Sequence, residues 1–182
     1  MKILKLFVSI ICISFILSGC ASIPEPSDEY QTLVVGIVTY QGKNYPSNYS
    51  GLNGNKAMGL EITIMEINNG KSYTMQTQAN GFFFSYDIPE GIYRITRCYV
   101  KGPKGAFTWF TPVFSMDNRL EIVDGKVNNL GVRRWESDFV GENRNTSNEI
   151  TFHREHERVR DLFQRKNKSS GWNQREWVDL GL

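Results

Sequence analysis

From Gln31 to Trp135 apolar residues recur at every second position or in short runs, with turn-forming residues between them. Residues 31–40, QTLVVGIVTY, are rich in β-branched side chains. Residues 59–67 alternate, with Leu60, Ile62 and Ile64 on one face and Glu61 and Thr63 on the other, the period of a half-buried strand. Asn69-Gly70 then predicts a tight hairpin of type I′, in which both central residues need positive φ, and KSYTMQT returns from it. Asn80-Gly81, Pro89-Glu90-Gly91 and Asp124-Gly125 separate FFFSYDI, IYRITRCYV, FTWFTPVFSM, RLEIV and KVNNLGVRRW. Several short strands with regular turn signals predict an antiparallel sandwich or barrel of about seven strands.

A helical period starts only after residue 145. Phe152, Val159, Leu162 and Phe163 form one stripe with charges between them, as on an amphipathic helix. Thr146 and Glu149 have capping-box spacing, which predicts a helix over about 146–168. Residues 149–152 read equally as a last strand before a helix that begins near His153. Arg165, Lys166 and Lys168 suit the negative end of the dipole, and Trp172, Trp177, Leu180 and Leu182 follow in an apolar tail.

Residues 82–86 set a geometric problem. Phe82, Phe84 and Tyr86 fall on the face opposite Phe83, and a strand apolar on both faces is one covered on both faces. Only one face can point into a sandwich. The C-terminal segment is therefore expected to pack on the outer face as part of the fold.

The N-terminus follows another pattern. Lys2 and Lys5 precede an apolar run from Leu6 to Leu17, broken only by Ser9 and Ser14, and small residues follow. That order is a secretory signal, and the run is short of the roughly 20 residues that span a bilayer. Leu17-Ser18-Gly19-Cys20 resembles the lipobox of bacterial lipoproteins. The resemblance implies cleavage after residue 19, acylation of Cys20 and anchoring in membrane lipid. No aspartate follows Cys20, which for that class implies outer-membrane placement. Residues 20–30, with two prolines, read as a lipidated tether able to span roughly 25–30 Å ahead of a single domain over 31–182.

Removing residues 1–19 deletes two lysines and no acid, so 21 Lys+Arg against 19 Asp+Glu becomes 19 against 19. A neutral domain offers no argument for nucleic acid. Cys98 is then the one cysteine besides Cys20, so no internal disulfide is expected, and its apolar run marks it as a small core residue.

Residues 78–95, QANGFFFSYDIPEGIYRI, resemble the signature stretch of prealbumin-like, carboxypeptidase-regulatory-type β-sandwich domains through Asn80-Gly81, Phe83, Ile88-Pro89, Gly91 and Tyr93. Gly36 and Val38 fit that family's first strand. The family's second aromatic is replaced by Ser85. The resemblance implies a fold, and such folds host unrelated functions.

Candidate chemistry is sparse. His153, His156 and Glu157 have metal-like spacing on a helix, but Arg154 and Arg158 flank them and no third histidine exists, so a solvated face is expected and no metal or other cofactor. No Gly-x-Ser-x-Gly, phosphate loop or Cys-x-x-Cys occurs. Residues 41–59 form a long Gly/Asn/Ser-rich connection in which Tyr40, Tyr45 and Tyr49 are expected to offer a binding surface that adds little stability. Trp109, Phe110, Trp135, Trp172 and Trp177 are expected in the core. Together these readings imply a noncatalytic envelope lipoprotein that binds a protein or glycan partner or serves a structural role. The alternatives are a carbohydrate-binding module and a small envelope hydrolase.

Overall fold

A computed structural model describes residues 23–56, 59–86, 88–101, 107–110, 119–140, 145–153 and 155–181. Cys20 and residues 1–19, expected to be a secretory signal, lie outside these residues. Among the described residues eleven strands run in the order β1 (Leu33–Lys43), β2 (Gly54–Lys56), β3 (Leu60–Glu66), β4 (Ser72–Gln76), β5 (Phe82–Tyr86), β6 (Gly91–Lys101), β7 (Phe107–Phe110), β8 (Arg119–Ile122), β9 (Val127–Val140), β10 (Asn145–His153) and β11 (Trp177–Asp179). One α-helix among the described residues, α1 (His156–Lys166), joins β10 to the tail. The protein is mainly β.

Two sheets share one core. The first runs β10-β9-β1-β2, with β5 also on β1 and β11 also on β9; the second runs β4-β3-β6-β7, with β8 also on β6. Between them lie Val34, Val38, Phe83, Leu130 and Trp135 from the first sheet and Leu60, Ile62, Ile64, Tyr93, Ile95, Cys98 and Val100 from the second. The alternation of residues 60–64 thus points inward as the pattern requires. More strands exist than the seven expected, because β2 and β11 are edge pieces of three residues, too short to register as a period.

The sandwich is also not purely antiparallel. β1 pairs in parallel with β9 along its length, and β11 pairs in parallel with β9. A parallel pair needs a long crossover, and here the chain builds the whole second sheet between the two partners. The register slips between Val35 and Ile37, where Leu130 and Gly131 together face Gly36. Gly131 has φ of 66°, a conformation glycine adopts without strain. The extra residue reverses the facing parity of β9: Leu130 points into the sandwich and Val132 points out.

The outer face of the first sheet is covered. Leu33, Val35, Ile37, Phe82, Val127 and Val132 pack with Val159 and Phe163 of α1, with Trp172, and with Ile23. This is the cover that residues 82–86 demanded, and it explains why Leu33 to Val38 is apolar at almost every position.

Three local expectations are corrected. Residues 145–153 form a strand paired to β9, with Glu149 opposite Glu136 and Phe152 opposite Arg133, so the helix spans 156–166 and Thr146 and Glu149 are no capping box. Ladder hydrogen bonds to an existing strand outweigh a helical turn that must first be nucleated. The 67–70 hairpin forms, but only Gly70 has positive φ, at 74°. It is therefore a longer turn closed by one left-handed glycine, with Glu66 N–H donating to the Lys71 carbonyl at 2.8 Å.

The long connection is the third. A 3₁₀ helix (Ser47–Leu52) and β2 fold back on β1, and Leu52 is 1% exposed in the core. A Cβ at Gly42 would sit 1.9 Å from the Leu52 carbonyl oxygen, so the absent side chain is what admits the returning backbone. Residues 41–56 of the connection are therefore packed structure. Leu52→Ala should cost about 2–5 kcal/mol, the usual loss for a core leucine, read as a shift in urea midpoint; an unchanged midpoint would restore the earlier expectation.

Candidate functional site

The first described residues and the last ones are clasped together. Trp172 is buried, and its indole N–H donates to the Pro24 carbonyl at 2.7 Å. The Gly171 N–H donates to Glu25 Oε2 at 2.6 Å. Arg175 donates through Nη1 to the Glu29 carbonyl at 2.6 Å and through Nη2 to the Asp28 carbonyl at 2.5 Å. Asp28 Oδ1 accepts from the Tyr30 and Gln31 backbone N–H groups, both at 2.9 Å, and closes a turn that sends the chain into β1. Residues 23–30 are therefore no free tether. An isolated segment this polar has nothing of its own to bury; it is ordered by Ile23, which enters the apolar layer under Trp172.

The same end of the sandwich holds an open hollow of about 260 Å³ lined by Asp28, Tyr30, Gln31, Thr32, Ile88, Pro89 and Asp124. Both carboxylates do structural work there. Asp124 Oδ1 accepts the Thr32 hydroxyl at 2.6 Å, and the Gly125 N–H donates to the Tyr30 carbonyl at 3.1 Å. The hollow is thus the meeting place of three turns.

A second polar node holds the outer layer in place. Asn129, fully buried, donates through Nδ2 to the His156 carbonyl at 3.1 Å and to Asp179 Oδ1 at 2.9 Å. Its Oδ1 accepts the Gly131 N–H of the bulge at 3.0 Å. One side chain thereby ties α1 and β11 to the sheet. The paired asparagines in an otherwise apolar strand were the available signal. Asn128 caps the preceding turn instead, bonding both the N–H and the carbonyl of Val123 at 2.9 Å.

Of the three tyrosines expected to offer a binding surface, two are buried and one is half-buried. Tyr40 is 1% and Tyr45 8% exposed, and Tyr49 packs against the same core. Tyr45 Oη lies 2.7 Å from Ser137 Oγ, and Tyr40 meets Trp135 edge to face at 4.8 Å between ring centres. Burial raises the Tyr40 hydroxyl well above its ordinary range. Tyr40 is turned inward by its place in β1, Tyr45 by the connection that follows it, and Tyr49 is half-buried in the 3₁₀ helix, which composition alone does not disclose.

The histidines are separated in role. His153 ends β10, whereas His156 opens α1, is buried, and places Nε2 3.2 Å from the Leu180 carbonyl. Trp135 and Trp172 are core residues; Trp177 is half-buried against Phe163, with the Arg160 guanidinium over its ring. Trp109 and Phe110 lie in β7, and their side chains lie outside the described residues. Cys98 is buried, and desolvation pushes its thiol up to about 12. Arg133, buried on the same side of β9 as Trp135, is lowered by burial to about 10. No helix among the described residues is long and apolar enough to cross a membrane.

No family model matches the chain, and no curated protein matches it. Among solved structures it is similar to a leucine-rich repeat protein from Bacteroides thetaiotaomicron, at 12% identity and a TM-score of 0.36, over 59% of this chain and 12% of that one. A likeness of that size carries no argument about fold or role.

Proposed function

We propose that this protein is a noncatalytic lipoprotein of the bacterial envelope, held in the outer membrane by acyl chains on Cys20. The observation that carries the reading is the order of a charged start, an apolar run and Leu17-Ser18-Gly19-Cys20. Two or three acyl chains at roughly 0.8 kcal/mol per buried CH₂ hold a protein where one chain does so only marginally. The role we assign is binding or structural support of an envelope partner.

We also assign the sandwich to the prealbumin-like, carboxypeptidase-regulatory-type class. The motif residues divide between turns and the core, which supports the assignment. Gly81 has φ of 80°, Phe83 fills the core, and the Tyr93 hydroxyl donates to the Pro89 carbonyl at 2.9 Å.

Cys20→Ala should abolish fatty-acid incorporation and move the protein from the membrane fraction to the soluble one. Metabolic labelling with a fatty acid followed by fractionation reads both. A variant that still incorporates label and stays with the membrane would defeat the reading.

A further inference from the structure

The clasp of the chain ends limits how far the domain can stand from its anchor. Ile23 is 6% exposed in the outer apolar layer, Pro24 is held by Trp172 and Glu25 by Gly171. Only Ala21 and Ser22 separate Cys20 from this docked segment. Three Cα-to-Cα steps of about 3.8 Å reach at most about 11 Å. The headgroup layer on one side of a bilayer takes up about 5–8 Å of that, from a total thickness of about 40–45 Å around a core of about 30 Å. Little length remains for a gap.

The surface at this corner also fits a bilayer. The turn that leads into Gly171 follows the basic end of α1, and Arg165, Lys166 and Lys168 are exposed there. None of the three is in an ion pair among the described residues. Cations in this position attract anionic headgroups within a Debye length of the surface.

We propose that the domain rests directly on the headgroup surface of the bilayer that holds its acyl chains, with the corner formed by Ile23–Glu25, Trp172 and the basic end of α1 against the lipid. The inference rests on acylation of Cys20. It replaces a domain on a flexible stalk with one of fixed orientation, in which Lys168 lies nearer the lipid than the 3₁₀ helix beyond the far end of β1. Lys166 donates to Gln78 Oε1 in the turn whose Gly81 carbonyl accepts the Val38 N–H, so the basic end of α1 lies level with Val38, and five residues of β1 at about 3.3 Å each set that level roughly 16 Å from Lys43.

The test uses the full lipidated protein in vesicles of phosphatidylethanolamine and phosphatidylglycerol that contain a headgroup-nitroxide lipid. A bimane is attached at Lys168→Cys or, in a second variant, at Ser47→Cys. Cys98, buried and held protonated, is spared by the label. Emission from position 168 should be mostly lost and that from position 47 retained. Inserting a Gly/Ser spacer between Ser22 and Ile23, which leaves the clasp intact, should restore emission at 168. Equal emission from both sites, or no response to the spacer, overturns the inference. The intact mass of the same preparation is measured first: a chain without acyl groups overturns the anchoring itself and this inference with it, whereas an acylated chain that stays bright at 168 overturns the orientation alone.

Discussion

Deleting residues 155–182 should leave no folded, soluble domain. The deletion removes Val159, Phe163, Trp172 and Leu180, each at most 4% exposed. At roughly 1.5–3 kcal/mol for each large apolar side chain buried, their loss approaches the roughly 5–15 kcal/mol by which a whole domain is stable. It also uncovers Leu33, Val35, Ile37, Phe82 and Val132 on the outer face of the first sheet, a contiguous apolar patch of the kind that drives aggregation. The terminal segment 23–30 would lose Trp172, Gly171 and Arg175 together. Expression of the shortened chain followed by size-exclusion chromatography and thermal unfolding checks this. Phe163→Ala is the milder companion, with an expected loss of about 3–5 kcal/mol. A truncated domain that runs as a monomer and melts with the full chain would make the C-terminus an arm for a partner.

Asn129→Ala should lower stability by about 2–3 kcal/mol although it removes only one small polar side chain. The Gly131 N–H of the bulge would lose its acceptor, the His156 carbonyl would lose the donor that ties it to β9, and an orphaned buried group costs about 1–3 kcal/mol. Asp179 would keep the Arg160 guanidinium, 3.6 Å away, which bounds the loss. The effect should be local before it is global: amide exchange should accelerate in α1 and β11 ahead of β3 and β6. Lys43→Ala supplies the contrast. Its pairing with Glu136 at 3.3 Å is exposed, and such pairs contribute about 0–1 kcal/mol. If Asn129→Ala unfolds at the wild-type urea concentration, the node is incidental and apolar packing alone holds the outer layer.

Much of the sandwich was legible because its signals are local. Alternation over residues 60–64, Gly70, Gly81 and Gly125 at turns, and the isolated Cys98 all report on neighbours within a few residues. The need for an outer cover was also legible, since two aromatic faces on one five-residue strand admit no other solution. The sites were legible only in part. Tyr45 and Tyr49 occur in a loop composition that suits contact surfaces, with Tyr40 just before it, and nothing local discloses that Tyr40 packs on Trp135 and Tyr45 on Ser137. The polar stretch from Ile23 to Tyr30 reads as a spacer because its partners, Trp172 and Arg175, lie about 150 residues away in the chain.

By itself the sequence determined the β class and the two-faced strand at 82–86, and it alone carries the Cys20 motif, because each depends on the order of residues along a short stretch. The tertiary structure alone decided the parallel pairing of β1 with β9, the strand at 145–153, the single asparagine that ties down α1 and β11, and the clasp of the two chain ends. These depend on which backbone edges and unsatisfied polar groups meet once the chain has closed on itself. That meeting is a long-range event, and no window of neighbouring residues encodes it.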